Sequence, residues 1–455
     1  MLKNKEMDLT KGSIMKKMII YSVPFILTNI LQVLFNAADI AVLGILAGDT
    51  SVAAVGASSS LTILIVGLFV GLSIGTNVVL ARYVGAKDKE GASRTVGTSI
   101  VIAFLSGIAL MVLGLMLAPW FLKIMNCAES VIEEATTYLR IYFIGAPSML
   151  LYNFSASVLR SVGDTRRPLI FLSISGVANV GLNILFVLVF KMTVEGVAIA
   201  TIVSQTISAI CCLTVLFKSK GYARLRVRYL KVFGYQLKEI AVIGIPSGLQ
   251  SVAFNIANVL IQRTVNSFGD TGMSANTTAQ QFDAIVYNVG NAISMSCMAF
   301  IGQNIGAKNA KNIKKVILYG VLLVTIFQFA VGLVFGLLAP VLCSLIANGE
   351  ETIQMATVRL RILGYFYFMC GIMEVFANSN RAMGKPIVSL VISVMGATVF
   401  RIAFLKIMMH FFPYFATIYW SYPASWIITI ICYLIFTPIT YKKTKISIEG
   451  STSIE

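Results

Sequence analysis

The stretch YVGAKDK, residues 83–89, returns 221 positions later as NIGAKNA, residues 304–310. On either side of this pair the match continues. Pro24 in YSVPFIL faces Pro246 in IGIPSGL, and GDT at 48–50 faces GDT at 269–271. LRI at 139–141 faces LRI at 360–362, and LRSVGDTRRP at 159–168 faces NRAMGKP at 380–386. A register held across almost the whole of both halves marks two copies of one design rather than chance similarity.

The solvent for that design follows from composition. Of 455 residues 57% are hydrophobic and 12% charged, and the mean hydropathy is +0.85. Such a chain is a polytopic membrane protein, not a soluble globule. A hydrocarbon core of ~30 Å takes about twenty apolar residues to cross. Twelve such runs are present, near 17–45, 52–81, 95–122, 131–158, 168–190, 195–217, 239–266, 274–303, 315–346, 354–380, 386–410 and 415–440. Their length and the lack of strand-like alternation predict helices, because only helices or closed barrels satisfy the backbone in lipid. The expected fold class is therefore an all-α polytopic membrane protein of twelve transmembrane helices in two six-helix lobes. The expected domains are an amino-terminal lobe at 1–217, a basic linker at 218–238 and a carboxyl-terminal lobe at 239–455. Six is an even number, so both copies enter from the same side. Such parallel repeats frame central, alternately opening cavities in secondary transporters; a duplication that merely enlarged a bundle is the bland alternative.

The formal charge of +17 invites a nucleic-acid reading, but its distribution argues for lipid. If the twelve runs alternate in direction, 28 of the 36 Lys and Arg residues fall on the side of the two termini. That bias predicts cytoplasmic termini in a multi-pass protein of the cell membrane, with basic loops beside anionic lipid heads and no nucleic-acid partner. The basic start MLKNKEMDLTKGSIMKKM lacks a cleavage-like site after a short apolar core, so the first run is expected to be retained. Seven cysteines, at 127, 211, 212, 297, 343, 370 and 432, form no C-x-x-C and read as small core residues.

Of 19 acidic residues only Asp39, Asp283 and Glu374 lie well inside the runs. Their counterparts in the other repeat are not acidic. Asp283 aligns with Thr62, Glu374 with Asn153, and Asp39 with Leu260 or Ile261. The scaffold is duplicated and the acids are not, as function at particular points would leave it. Asp39 has three readings: a structural residue held by polar neighbours, a coupling residue that takes a proton or sodium ion, or an anchor for cationic substrate. Removing a carboxylate from water without a counter-charge disfavours its charged form, which suits proton exchange. Asn179 and Asn183, at i and i+4, share a helix face and either orient Asp39, ligate an ion or bond helices together. Glu374 stands seven residues before Arg381, near the cytoplasmic interface. Asp283 takes Arg263 as its candidate partner, and Arg401, a buried charge in need of one, suits Asp283 by depth better than Glu374. Of the Met and aromatic residues, the face around Phe35 and Asn36 is the one expected to meet substrate.

Several strings at these positions carry a family likeness. They are Pro24 followed fifteen residues later by Asp39, LRSVGDTRRP after the fourth run, GVAIATIVSQ at 196–205, GQNIGAK at 302–308 and MEVFANSNRAMGKP at 373–386. With them the chain resembles, end to end, the multidrug and toxic compound extrusion (MATE) family of bacterial type. The resemblance implies a V-shaped pair of lobes that exports small organic, often cationic, amphipathic compounds against inward-moving protons or sodium ions. It implies a cation-coupling set of Asp39, Asn179, Asn183 and Thr201, which would also be the sodium ligands. Asn183 departs from that branch, which often has Asp there. The other branch's seventh-helix Glu, nine residues after the Pro, is here Asn255. Asp283, Glu374, Asn255 and Asn36 remain as a substrate or second coupling site, and Pro24 and Pro246 as conformational hinges. The coupling ion is expected to be a proton, with sodium second; no other cofactor is expected, and the functional unit is expected to be a monomer.

Three other classes are disfavoured. A flippase for lipid-linked sugars shares the broad architecture but should line its groove with several Arg or Lys for a pyrophosphate, whereas the runs here carry chiefly Arg263 and Arg401. An enzyme lacks any constellation, with one histidine, His410, and no H-E-x-x-H or G-x-S-x-G. A channel lacks a filter-like loop or charged ring. With no G-x-x-x-x-G-K-[ST] string, the energy source is expected to be an ion gradient.

Overall fold

The structure, a computed structural model, describes residues 6–46, 49–124, 129–347 and 349–450; Gly48 of the first GDT and Cys127 lie outside them. All regular structure among these residues is helical. In chain order the helices are α1 (Ile14–Leu46), α2 (Asp49–Gly85), α3 (Lys89–Ile124), α4 (Glu129–Ile144), α5 (Ala146–Ser161), α6 (Arg166–Ile184), α7 (Val194–Lys218) and α8 (Gly234–Asn266). They continue with α9 (Gly269–Gly306), α10 (Ala310–Leu337), α11 (Ala339–Ser344), α12 (Glu350–Ala382), α13 (Pro386–Ser393), α14 (Arg401–Phe411) and α15 (Phe415–Gly450). Leu185–Val189 extends α6 as a π-helical turn, and Val394–Phe400 joins α13 to α14 in the same way.

Eleven of the expected twelve runs are helices long and apolar enough to cross a membrane. The run at 131–158 forms two 16-residue helices, α4 and α5, set end to end. The break has a local cause. Pro147, in the first turn of α5, has no N–H to give to Phe143 O, and the Gly145 N–H instead closes a tighter turn on Tyr142 O at 3.0 Å. Apart from that interruption the fold class is as the sequence predicts, an all-α polytopic membrane protein with a repeated design.

The chain forms two compact units, one of Met1–Asp8 and Val23–Gly248, the other of Leu9–Ser22 and Leu249–Glu455. Each is packed as lipid requires. In the first unit, large apolar side chains such as Met116 and Val177 are 72% exposed, while Thr76 and Ser99 are fully buried and bonded to each other at 3.0 Å. In the second, Gln328 is fully buried and donates to Val286 O at 3.1 Å. Apolar faces toward lipid and small polar groups between helices are the arrangement expected where lipid tails are as apolar as leucine.

The repeat that the sequence announces is present in the backbone. Lys87 and Lys308 both adopt the left-handed conformation, at φ 58° and 55°, and Gly163 and Gly384 do so at 86° and 80°. Each pair is 221 residues apart. In YVGAKDK the Asp88 N–H closes on Tyr83 O at 3.0 Å; in NIGAKNA the Asn309 N–H closes on Asn304 O at 2.8 Å. The next helix is then capped by the same residue, Asp88 Oδ1 accepting from Gly91 N at 2.9 Å and Asn309 Oδ1 from Asn312 N at 3.3 Å. The motif is thus a joint that ends one helix and starts the next, satisfying the orphan backbone groups of both.

Close crossings need glycine. A Cβ on Gly332 of α10 would stand 2.0 Å from Gly364 O of α12, and one on Gly364 would stand 2.7 Å from Gly332 O. The obstacle is backbone in both directions, so no side chain can move aside. Gly332→Leu should therefore separate α10 from α12 at a cost of about 1–3 kcal/mol. Thermal unfolding of the purified protein in detergent checks it, with Gly181→Ala, an exposed position of α6 whose added Cβ would meet nothing within 4 Å, as the comparison that should not destabilise.

Candidate functional site

In the first unit the residues singled out in α1, α6 and α7 meet. Asp39 is half-buried late in α1. Asn183 Nδ2 donates to Asp39 Oδ1 at 2.5 Å and lies 3.4 Å from Asn179 Oδ1, one turn back on α6. Both asparagines are buried, and Asn183 Oδ1 has no donor. Thr201 of α7 stands beside the Asp39 carboxylate as well. Its one hydroxyl hydrogen goes to Val197 O at 2.9 Å, so it serves either its own helix or Asp39 but not both. No Lys or Arg pairs with Asp39 among the described residues.

Packing of α1 on α6 produces this meeting. The Phe35 ring lies where a side chain on Gly176 would be, its nearest carbons 1.9 Å from the Cβ position that glycine leaves empty. Asp39 is one turn on from Phe35, and Asn179 and Asn183 are one and two turns on from Gly176, so the two polar rows come into register. Phe35 is therefore a packing residue on α6. Asn36, one turn before Asp39 on α1, is exposed. Tyr138 of α4, which the sequence did not single out, lies within electrostatic reach of Asp39. It is one of 17 tyrosines and carries no charge, so nothing in the sequence distinguished it.

Asp283, Glu374 and Asn255 come together in the second unit, on one cavity of about 400 Å³. Asn255 donates to Ser251 O in its own helix at 2.9 Å. Asp283, 3% exposed, accepts from Arg359 Nη2 at 2.7 Å and Nε at 3.0 Å. Neither Arg263, the candidate on the adjoining helix, nor Arg401, the candidate by depth, is its partner. Arg359 is the tenth residue of α12, where the sequence reads as the edge of a run, yet it is 7% exposed. It is further held by Asn276, which also accepts from the Tyr419 hydroxyl at 2.8 Å, and by the Tyr419 ring. Glu374 and Arg401 line the same cavity without forming an ion pair with each other. Pro24 and Pro246 sit inside α1 and α8, where each removes one helical N–H donor. The Thr28 hydroxyl donates to Pro24 O at 2.8 Å.

Comparison with known proteins bears on this arrangement. The MatE family description matches the chain twice, at residues 24–185 and again at 246–407. A Bacillus subtilis (strain 168) relative described as "Probable multidrug resistance protein YpnP" is 30% identical over 88% of this chain and 89% of its own length. A second from the same organism, "Probable multidrug resistance protein YoeA", is 25% identical over 96% of each. A solved outward-facing structure of a multidrug resistance MATE family transporter superposes with a TM-score of 0.90 at 22% identity, over 97% of this chain and 99% of that one.

The Asp283–Arg359 pair has a direct test of its role. Asp283→Asn leaves Arg359 buried without its counter-charge and should cost about 3–5 kcal/mol, whereas Asp283→Leu with Arg359→Met removes both charges and should recover most of that loss. Thermal unfolding in detergent measures both. Wild-type stability in Asp283→Asn would mean that the pair does not hold α9 to α12.

Proposed function

The chain belongs to the MatE family and is a multi-pass membrane transporter, and from that premise we propose that it exports small amphipathic organic compounds, many of them cationic, in exchange for protons bound at Asp39. The observation that carries this reading is the state of Asp39 and Asn183. Among the described residues a carboxylate in an apolar span faces no cation, and its amide partner keeps a buried oxygen, Asn183 Oδ1, without a donor. Charged Asp39 is served by the Asn183 N–H₂. A protonated carboxyl instead needs an acceptor, and the same amide, turned over, offers one. The pair can thus satisfy either protonation state, and binding or losing the proton shifts its geometry. Alternating access of the substrate to the two sides of the membrane would draw on that shift.

Sodium is the second coupling ion to consider. Asp39, Asn179, Asn183 and Thr201 offer it hard oxygen ligands but one negative charge, and an alkali ion gains from more. The amide nitrogen already bonds Asp39, so a sodium ion must compete with that hydrogen bond, whereas a proton can be accommodated by turning the amide. This favours the proton. The working unit in this reading is a monomer in the cell membrane, with both termini and the basic 218–238 segment on the cytoplasmic side, as the charge bias suggests.

Efflux from inverted vesicles distinguishes the drivers. A pH gradient without sodium should drive dye export, a sodium gradient alone should not, and Asp39→Asn should reach the membrane yet lose gradient-driven export. Wild-type transport by Asp39→Asn sinks the coupling role, and export under sodium alone sinks the proton. For topology, a cysteine placed by Ser219→Cys in a cysteine-free background should resist an impermeant thiol reagent added to intact cells and react after lysis. Labelling from outside would reverse the orientation.

A further inference from the structure

The cavity of the second unit holds a charge that the coupling of Asp39 leaves unused. Arg401 lines it at the first position of α14 and is 7% exposed. Its Nε donates to Ser425 Oγ at 2.9 Å, and its guanidinium carbon lies 4.3 Å from the centre of the Tyr422 ring and 5.9 Å from that of Trp426. The carboxylates that share the cavity do not neutralise it. Asp283 is bonded to Arg359, and Glu374 stands on α12 without an ion pair, the cation in its field being Arg381. A desolvated cation without a counter-ion is costly, and a hydroxyl or amide would have served to tether α15.

The repeat shows that the scaffold does not demand this arginine. Asn183 is fifteen residues after Pro168, and Arg401 is fifteen residues after Pro386. At the same station of two copies of one helix, the first repeat carries a neutral amide and the second a permanent cation. Both stations adjoin a π-helical turn, Leu185–Val189 just after Asn183 and Val394–Phe400 just before Arg401. Such turns are frequent at functional sites because they re-aim side chains. Aromatic rings cover a guanidinium face and leave its edge free, and that edge matches a carboxylate with two parallel hydrogen bonds.

We propose that the cavity of the second unit is a subsite for zwitterionic amphipathic compounds, in which Arg401 receives an organic carboxylate while the cationic end of the compound faces Glu374. The assignment rests on the reading of the chain as an exporter and names a class of its substrates. Opposite charges that share one cavity but do not quench each other are complementary to a ligand that carries both. A purely cationic compound would leave the arginine unpaired and meet its repulsion, so the subsite discriminates by the presence of the acid.

The test uses two probes that differ only at the acid, rhodamine B and its ethyl ester, with the full-length protein in phosphatidylcholine nanodiscs. Binding is read by dye anisotropy after subtraction of empty discs. Wild type should bind the free acid about tenfold or more tightly than the ester, the scale of one charge-assisted hydrogen-bonded pair. Arg401→Gln should abolish that preference, weakening binding of the acid and strengthening that of the ester by removing the repulsion, and Arg401→Lys should keep part of it. Equal wild-type binding of acid and ester overturns the assignment whether or not the variants fold, as does an acid preference that survives Arg401→Gln. Loss of acid binding when phosphatidylglycerol replaces phosphatidylcholine also overturns it, by giving the arginine to a lipid headgroup. Because binding is measured without any gradient, failure of export with the acid preference intact would count against the exporter reading alone.

Discussion

A peptide group inside hydrocarbon has no water to bond, and the rest of this structure depends on that constraint. It forces the apolar runs into helices whose N–H and C=O groups are satisfied internally, and it leaves the ends of those helices as the places where satisfaction has to be engineered. Four of the left-handed residues, Lys87, Lys308, Gly163 and Gly384, mark such places. Each reverses the chain just past a helix end so that the last carbonyls find donors, and after the two lysines a side-chain oxygen of Asp88 or Asn309 then serves the next helix. These joints are the best-kept strings of the repeat because their geometry tolerates few residue types. Long apolar faces are satisfied by many.

The same constraint explains why the acids are informative. In lipid a buried charge needs a partner or a use, and the three acids of the spans meet this demand differently. Asp283 is closed by Arg359 and holds two helices. Among the described residues Asp39 has amide and hydroxyl company, which suits a group that changes its charge. Glu374 opens onto a cavity. Burial alone would have grouped the three together; their partners separate them.

The two π-helical turns fall in the fifth helix of each repeat, beside Asn183 and Arg401. The two copies of that helix therefore share a weakness in the backbone ladder and differ in the side chain next to it. Duplication supplied the scaffold twice, and substitution at matching stations left one unit with an acid held by an amide and the other with a cation held by aromatic rings.

Sequence alone determined the membrane solvent, the runs, the period of 221 and the joints, because each depends on composition or on short-range backbone chemistry. It also located Asp39, Asn179 and Asn183, since a polar residue in an apolar run is conspicuous and an i,i+4 spacing fixes a shared face. It missed the division of the run at 131–158, where hydropathy continues through Pro147 although the N–H ladder does not. Partner choice belonged to the tertiary structure. The adjoining helix suggested Arg263 for Asp283, and depth along a span Arg401, but both ignore rotation about the helix axis, and it is Arg359, 76 residues away, that turns toward it. Whether Asp39 met the two asparagines likewise depended on the empty face of Gly176 admitting the Phe35 ring and bringing α1 against α6. Composition and spacing say which residues share a face; only the packed helices say which faces meet.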